Sequence, residues 1–279
     1  MTDTTGIPTA MTIAGSDSGG GAGIQADLKT FSALGAYGAS AITALTAQNT
    51  VGVTGIFAID PAFVAKQIDT VLDDIRIDAI KIGMLGTPAL IDAVADALER
   101  RPKCPPVVLD PVMVAKSGDP LLPSDAVETL INRLVPLATV ITPNLPETGV
   151  LLGRDAPGDV EAMKQAARDL TSLGPRAVLV KGGHLDNSDE PDSIDLLLEN
   201  GAFQEFRARR IATENTHGTG CTLSSAIAAG LAKGLPLGKA AAEAHTYLQA
   251  AIAKADTLHI GSGHGPVHHF HDYWKGKTQ

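Results

Sequence analysis

Aromatic residues are scarce in this chain, with Phe, Trp and Tyr making up only 4% of 279 residues. A core so poor in rings argues against an aromatic-rich β-sandwich and suits a parallel sheet covered by helices, whose strands are runs of Val, Ile, Leu and Ala. Cysteine is rarer still. Cys104 and Cys221 stand alone and far apart, which excludes a disulfide scaffold and a cysteine zinc cluster and leads us to expect a reducing compartment. Basic charge is in deficit: 22 Lys and Arg face 31 Asp and Glu, a net charge of −9. That balance excludes the basic footprint of a nucleic-acid binder. The densest basic cluster, Arg207-Ala208-Arg209-Arg210, is short and is expected to be a solvated strand end. No apolar run approaches the roughly 18 residues of a membrane-spanning helix, and Met1 to Thr9 lacks the basic-then-apolar order of a signal peptide. We expect a cytoplasmic protein with neither nucleic-acid nor membrane partners. The Walker motif G-x-x-x-x-G-K-[ST] is absent, which excludes a P-loop NTPase.

What is present is an alternation of strands and helices. Ala10 to Ala14, Ser40 to Ala47, Val53 to Ile59, Ala79 to Gly83, Val107 to Asp110, Thr139 to Thr142 and Ala177 to Val180 read as strands. Helices are expected over Ala22 to Leu34, Pro61 to Asp74, Pro88 to Glu99, Val160 to Ser172, Thr219 to Lys233 and Leu237 to Ala255, with Ser124 capping another that runs to Leu134. Glu147 opens a further helix. Asn200-Gly201, between Ile194 to Leu198 and Ala202 to Ala208, is a hairpin signal. The alternation predicts an α/β fold of three layers, with a mainly parallel central sheet and helices on both faces. One domain spanning residues 1–279 accounts for it, since no linker or repeat interrupts the pattern. Such sheets bind ligands at the carboxyl ends of their strands, where Gly15 to Asp17, Gln48-Asn49, Gly83-Met84, Asp110, Asn144 and Lys181 would converge.

The strongest local signal is Thr216-His217-Gly218-Thr219-Gly220-Cys221-Thr222, which leads straight into a helix. Glycines let successive N–H groups face one point, and a helix N-terminus adds partial positive charge. The same pattern also fits an ordinary glycine-rich helix start. Cys221 at that start is expected to have a depressed thiol pKa. It could take a proton from a substrate hydroxyl, hold that hydroxyl in line, or be a small buried hydrophobe. The first glycine-rich turn, Gly15 to Gly23, contains Gly21-Ala22-Gly23-Ile24-Gln25-Ala26, a formal match to a dinucleotide fingerprint. That motif needs an acid roughly 20 residues on, yet Leu28 to Ile59 contains no Asp or Glu. A turn lying against a small substrate fits better. Asp110 and Glu147 are candidate Mg²⁺ carboxylates, and Lys181 and Lys116 candidate phosphate contacts. His264, His268, His269 and His271 lack partner cysteines or obvious carboxylates and are expected to be structural or at the surface.

Taken together, the segments resemble the hydroxymethylpyrimidine/phosphomethylpyrimidine kinase family of the ribokinase-like superfamily, over nearly the whole chain. The resemblance rests on Ile13-Ala14-Gly15-Ser16-Asp17, Gly20 to Lys29, Thr43 to Thr50, Lys81-Ile82-Gly83-Met84-Leu85 and Asp110-Pro111-Val112-Met113. It continues through Thr142 to Glu147, Lys181-Gly182-Gly183-His184, His217 to Ser224 and Gly265 to Phe270. It implies ATP and Mg²⁺, and transfer of a phosphoryl group to 4-amino-5-hydroxymethyl-2-methylpyrimidine and then to its monophosphate. It also implies Gly15, Asp27, Gln48 and Met84 in the pyrimidine pocket. Asn144, Lys181, Lys116 and Thr216 would serve ATP, and Asp110 and Glu147 the metal. Gly218, Thr219, Gly220 and Cys221 would form the catalytic segment. A homodimer is expected, and the hairpin around Asn200-Gly201 could serve it. Two departures stand out. The wider superfamily has Asp where this chain has Cys221, and Ser18-Gly19-Gly20-Gly21 replaces an expected Pro-Ser before the glycine pair. A pyridoxal kinase of the same fold, an NAD-dependent oxidoreductase and a non-catalytic vitamin-binding protein are the competing readings.

Overall fold

The computed structural model describes residues 6–113, 122–183 and 192–274. Nine strands form one sheet: β1 (Thr9–Asp17), β2 (Tyr37–Gln48), β3 (Val53–Ala58), β4 (Ala79–Ile82), β5 (Val107–Leu109), β6 (Val140–Ile141), β7 (Ala177–Lys181), β8 (Asp192–Glu199) and β9 (Ala202–Arg209). Their order is β3-β2-β1-β4-β5-β6-β7-β8-β9. The central pairings from β2 to β7 are parallel, and antiparallel strands close both edges. Among the described residues there are eight α-helices: α1 (Gly23–Ala33), α2 (Pro61–Asp74), α3 (Pro88–Glu99), α4 (Ser124–Arg133), α5 (Leu145–Leu152), α6 (Val160–Thr171), α7 (Thr219–Ala232) and α8 (Leu237–Ala253).

Strand alternation sends successive side chains to opposite faces, and two cores follow from it. Met11 and Ile13 of β1 and Ile80 and Ile82 of β4 pack with α2, α3, α4 and α6. Their neighbours Ala10 and Ala79 join Phe31, Ile227 and the alanines of α7 and α8 on the other face. Alanine and glycine there let α7 lie close to α8: a Cβ on Gly230 would come 2.7 Å from Ala240 Cβ. The expected three layers are thus present. The hairpin forms as expected, with Asn200 at φ 51° and Gly201 at φ 78°, the paired left-handed conformations of a two-residue type I′ turn.

Three local expectations are corrected. β1 does not end at Ala14 but continues to Asp17 through an irregularity between Ala14 and Ser16, so the turn begins only at Ser18. Ser124 is the first residue of α4 rather than its cap, since Pro123 holds the cap position and no side chain caps it. Glu147 does not open its helix: α5 starts at Leu145 behind the Asn144 cap, and Glu147 takes its third position.

Candidate active site

The carboxyl ends of the parallel strands and the N-terminus of α7 surround a cavity of about 480 Å³. At one end Gly15, Gln48 and Met84 contribute walls. Gly15 is required by close approach, because a Cβ there would come 2.8 Å from Met84 Cε. Asp110, Asn144, Glu147 and Lys181 line the other end, and Thr216 to Cys221 runs along the wall between them. The sheet therefore gathers nearly all the expected site residues around one space. Lys116 lies outside the described residues.

Asp27 departs from expectation. It is fully buried and stands behind the cavity wall. Its carboxylate binds Lys81 Nζ at 2.9 and 3.0 Å and accepts hydrogen bonds from Thr12 and Ser225, both at 2.6 Å. Both partners of the Lys81–Asp27 pair are wholly removed from solvent. Burial opposes the charge on Lys81, but Asp27, then Cys221 and Asp110, together outweigh that and the ammonium pKa is raised. Lys81, not Asp27, contributes to the cavity wall. In the sequence Lys81 stands out only as part of the Lys81-Ile82-Gly83-Met84-Leu85 motif, and a lysine in the otherwise apolar strand Ala79–Ile82 is the signal that marks it.

At the opposite end Lys181 Nζ binds Asp110 Oδ1 at 2.9 Å and lies 3.9 Å from Glu147 Oε2. Thr142 donates to Asp110 at 3.1 Å. Burial works against the Asp110 charge, yet Lys181 and then Lys81 hold its carboxyl below the ordinary range. Glu147 has the opposite balance. Burial pushes it up to about 7; Lys181 opposes that shift only in part, and the nearby Asp110 adds to it. Asn144 and Glu147 form a reciprocal cap on α5: Glu147 N–H donates to Asn144 Oδ1 and Asn144 N–H to Glu147 Oε2, both at 2.8 Å. The cap orients the carboxylate towards the cavity. Among the described residues no group of three or more His, Cys, Asp or Glu could hold a metal. Two oxygen donors with an under-compensated acid do fit a Mg²⁺ ion that takes its remaining ligands from phosphates and water.

Between the two ends lies the α7 N-terminus. Gly218 has φ 83°, and a Cβ there would sit 1.9 Å from Gly21 O. Only glycine lets the two glycine-rich loops touch. Thr219, Gly220 and Cys221 form the first turn and line the cavity, with Thr219 N–H reaching Thr216 O only at 3.4 Å, and a helix N-terminus placed there can serve as an anion cradle. The expected low pKa of Cys221 is not found. Burial pushes the thiol up to about 11; Lys81 opposes that shift, whereas Asp27 and Asp110 add to it. Desolvation by the packed cavity wall outweighs the helix terminus.

Two further residues, Asp17 and His217, whose pairing no local spacing announces, shape the site. Asp17 accepts hydrogen bonds from Gly19 N–H at 2.8 Å, Gly21 N–H at 3.0 Å and Ala22 N–H at 2.8 Å, and from His217 Nε2 at 2.8 Å. Burial raises its pKa, but His217 and the loop amides prevail and lower it. The His217 backbone is held in turn by the C-terminal segment, through Gly265 O and Val267 N–H. The C-terminal histidines serve that docking, as expected of a structural role. His268 and His269 are buried, and His269 Nε2 meets Thr222 Oγ1 at 3.1 Å.

Residues 17–268 match the family model described as phosphomethylpyrimidine kinase. A hydroxymethylpyrimidine/phosphomethylpyrimidine kinase of Rhizobium meliloti is 55% identical over 266 residues, covering 95% of this chain and 98% of that protein. Among solved structures, an ADP complex of Bacillus subtilis pyridoxal kinase superposes with a TM-score of 0.88 at 37% identity, covering 97% of this chain and 100% of that one. A phosphomethylpyrimidine kinase from Clostridium difficile has a TM-score of 0.77 at 44% identity, covering 88% of this chain and 99% of that one. With the ribokinase-like sheet, the anion cradle at α7 and a sequence match along nearly its whole length, the chain belongs to the hydroxymethylpyrimidine/phosphomethylpyrimidine kinase family.

Proposed function

We propose that this protein phosphorylates 4-amino-5-hydroxymethyl-2-methylpyrimidine with ATP at the hydroxymethyl oxygen, and then converts the monophosphate to the diphosphate. The observation that carries this reading is a single cavity with an amide- and thioether-lined end, an anion cradle in its wall and two acids with a lysine beyond it. Gln48 offers both a donor and an acceptor to an aminopyrimidine edge, and Met84 an adaptable apolar surface for a flat ring. The hydroxymethyl group would point at Cys221 and the amides of Gly220 and Thr219. Phosphoryl transfer passes through a loose transition state in most analyses, so positioning and charge stabilisation outweigh proton removal. A thiol held up to about 11 suits that demand: it accepts a hydrogen bond and orients the oxygen without being a thiolate. Lys181 would neutralise charge on the transferred group from beside Asp110. Thr216 and Asn144 would line the nucleotide's path, and we place Lys116 with them as a phosphate contact from its motif alone. Magnesium, when bound, would supply charge neutralisation on the phosphates, and Asp110 and Glu147 are the residues that would hold it.

We further propose a homodimer. The hairpin edge β9 is a poor candidate surface, because it exposes Glu205, Arg207 and Arg209. The opposite edge exposes Val51, Ile56, Phe57 and Phe63, with Phe57 at 69%, an apolar patch of the kind that marks association.

ATP consumption, with product mass, on the hydroxymethylpyrimidine, its monophosphate and pyridoxal in parallel tests the reading. Sequential gain of two phosphates on the pyrimidine is expected. Turnover confined to pyridoxal would move the substrate assignment while leaving the cradle in place.

A further inference from the structure

The side chain of Gln48 stands in a chain of polar contacts whose directions can be worked out from its two ends. Asp17 is an acceptor throughout, taking hydrogens from three loop amides. His217 Nε2, 2.8 Å from Asp17 Oδ2, must therefore be a donor. At the far end Thr46 has one hydroxyl hydrogen, and the Ser16 carbonyl lies 2.8 Å away to receive it. Thr46 then acts as an acceptor towards Gln48. The Gln48 amide lies between, with Oε1 3.1 Å from Thr46 Oγ1 and Nε2 3.5 Å from His217 Nε2. That setting opposes an N–H to an N–H at His217 and leaves Thr46 one hydrogen for two acceptors. A half-turn of the amide, which its shape barely distinguishes, removes both conflicts: it turns the amide oxygen, not a second N–H, towards the His217 N–H that Asp17 already holds, and it gives Thr46 a donor. The oxygen then faces His217, and the nitrogen donates to Thr46.

We propose that the Asp17–His217 pair is a positioning device that fixes the polarity of Gln48, with its amide oxygen on His217 and its amide nitrogen on Thr46. Gln48 keeps one N–H and its oxygen for a ligand, in an order it cannot reverse. That edge selects a ring presenting an acceptor beside a donor, as an aminopyrimidine does, over a ring presenting only acceptors. This recognition rests on the proposed pyrimidine substrate; the polarity itself does not. His217 can act this way without disturbing the anion cradle, because its backbone is held separately by Gly265 and Val267.

Two measurements test the proposal. Long-range ¹H–¹⁵N correlation of the ligand-free enzyme should show His217 Nε2 as a protonated, pyrrole-type nitrogen, assigned by its loss in His217→Gln. A pyridine-type Nε2 would overturn the polarity whatever the substrate. In kinetics, His217→Ala should raise the pyrimidine KM roughly tenfold, the effect of about one hydrogen bond, with the ATP KM within about twofold. His217→Gln, whose amide can still donate to Asp17, should restore most of the loss. Gln48→Ala combined with His217→Ala should bind pyrimidine no worse than Gln48→Ala alone. Additive losses would show that His217 does not act through Gln48 and would sink the recognition role. A wild-type enzyme that ignores the pyrimidine would overturn the proposed function and that role together, while the imidazole spectrum would still decide the polarity.

Discussion

Cys221 shows how burial and a helix terminus compete for one proton. The terminus favours thiolate, the packed wall favours thiol, and the wall wins, with the thiol at about 11. Two expectations follow. Turnover should show no rise from thiol ionisation between pH 7 and 9. Cys221→Ser should lower kcat well beyond any change in pyrimidine KM, since the change alters the geometry at the reacting oxygen; equal effects on both would mark Cys221 as packing alone. Gly220 offers a sharper test of space. A Cβ there would lie 3.4 Å from Lys181 Nζ and 3.5 Å from Asp110 Oδ2, in the volume that a transferred phosphoryl group would need. Gly220→Ala should fold normally and lose kcat by tenfold or more, measured beside an unchanged melting temperature. Lys81 carries a different burden. Replacing it with Met leaves Asp27 buried and unpaired, a loss of about 3–5 kcal/mol in stability for such sites, readable by urea unfolding.

The C-terminal segment acts as a brace for the cradle. Gly265 N–H binds Asn215 Oδ1 at 2.9 Å, His264 N–H binds Thr50 O at 2.9 Å, and Tyr247 O–H donates to His269 O at 2.6 Å. His269 is neutral in this packing: burial, then Lys29, His268 and His217, drive its pKa down to about 3. Between about 3 and 6.5 the unfolded chain takes up a proton that the folded chain refuses, so stability falls as pH drops through that window and is recovered above it. Replacing His269 with Gln should flatten the difference in denaturation midpoint between pH 5 and pH 7.5. Much of this architecture was legible in sequence. The bounds of α2 and α3 were readable because Asp60 and Thr87 cap them and Pro61 and Pro88 follow at once. Helix α5 was visible only through Glu147, since eight residues that are mostly apolar carry no helical period. The Asp17–His217 contact spans 200 residues, and nothing in local spacing announces such a pair. Asp27 was misplaced for a related reason. Its spacing on α1 is the same whether the acid faces a ligand or the Lys81 ammonium.

Across the whole molecule, association and charge remain to be weighed. Phe57 and Phe63 are exposed at 69% and 56% beside the β3 edge. Phe57→Asp should convert a dimer to a monomer in analytical ultracentrifugation without unfolding it; a monomeric wild type would remove the proposed interface. Electrostatics has a kinetic side as well. Among the described residues the two lysines that line the cavity, Lys81 and Lys181, are each ion-paired, with Asp27 and Asp110, and the cradle attracts anions through amide dipoles that fade within a helical turn. Beyond that reach an approaching nucleotide meets a body of net charge −9. Its encounter is therefore repulsive until the last few ångströms, and screening over a Debye length of about 8 Å at physiological ionic strength removes much of that barrier. The association rate for ATP should rise as salt is added from a low starting concentration, the reverse of the fall seen when surface lysines steer an anion home.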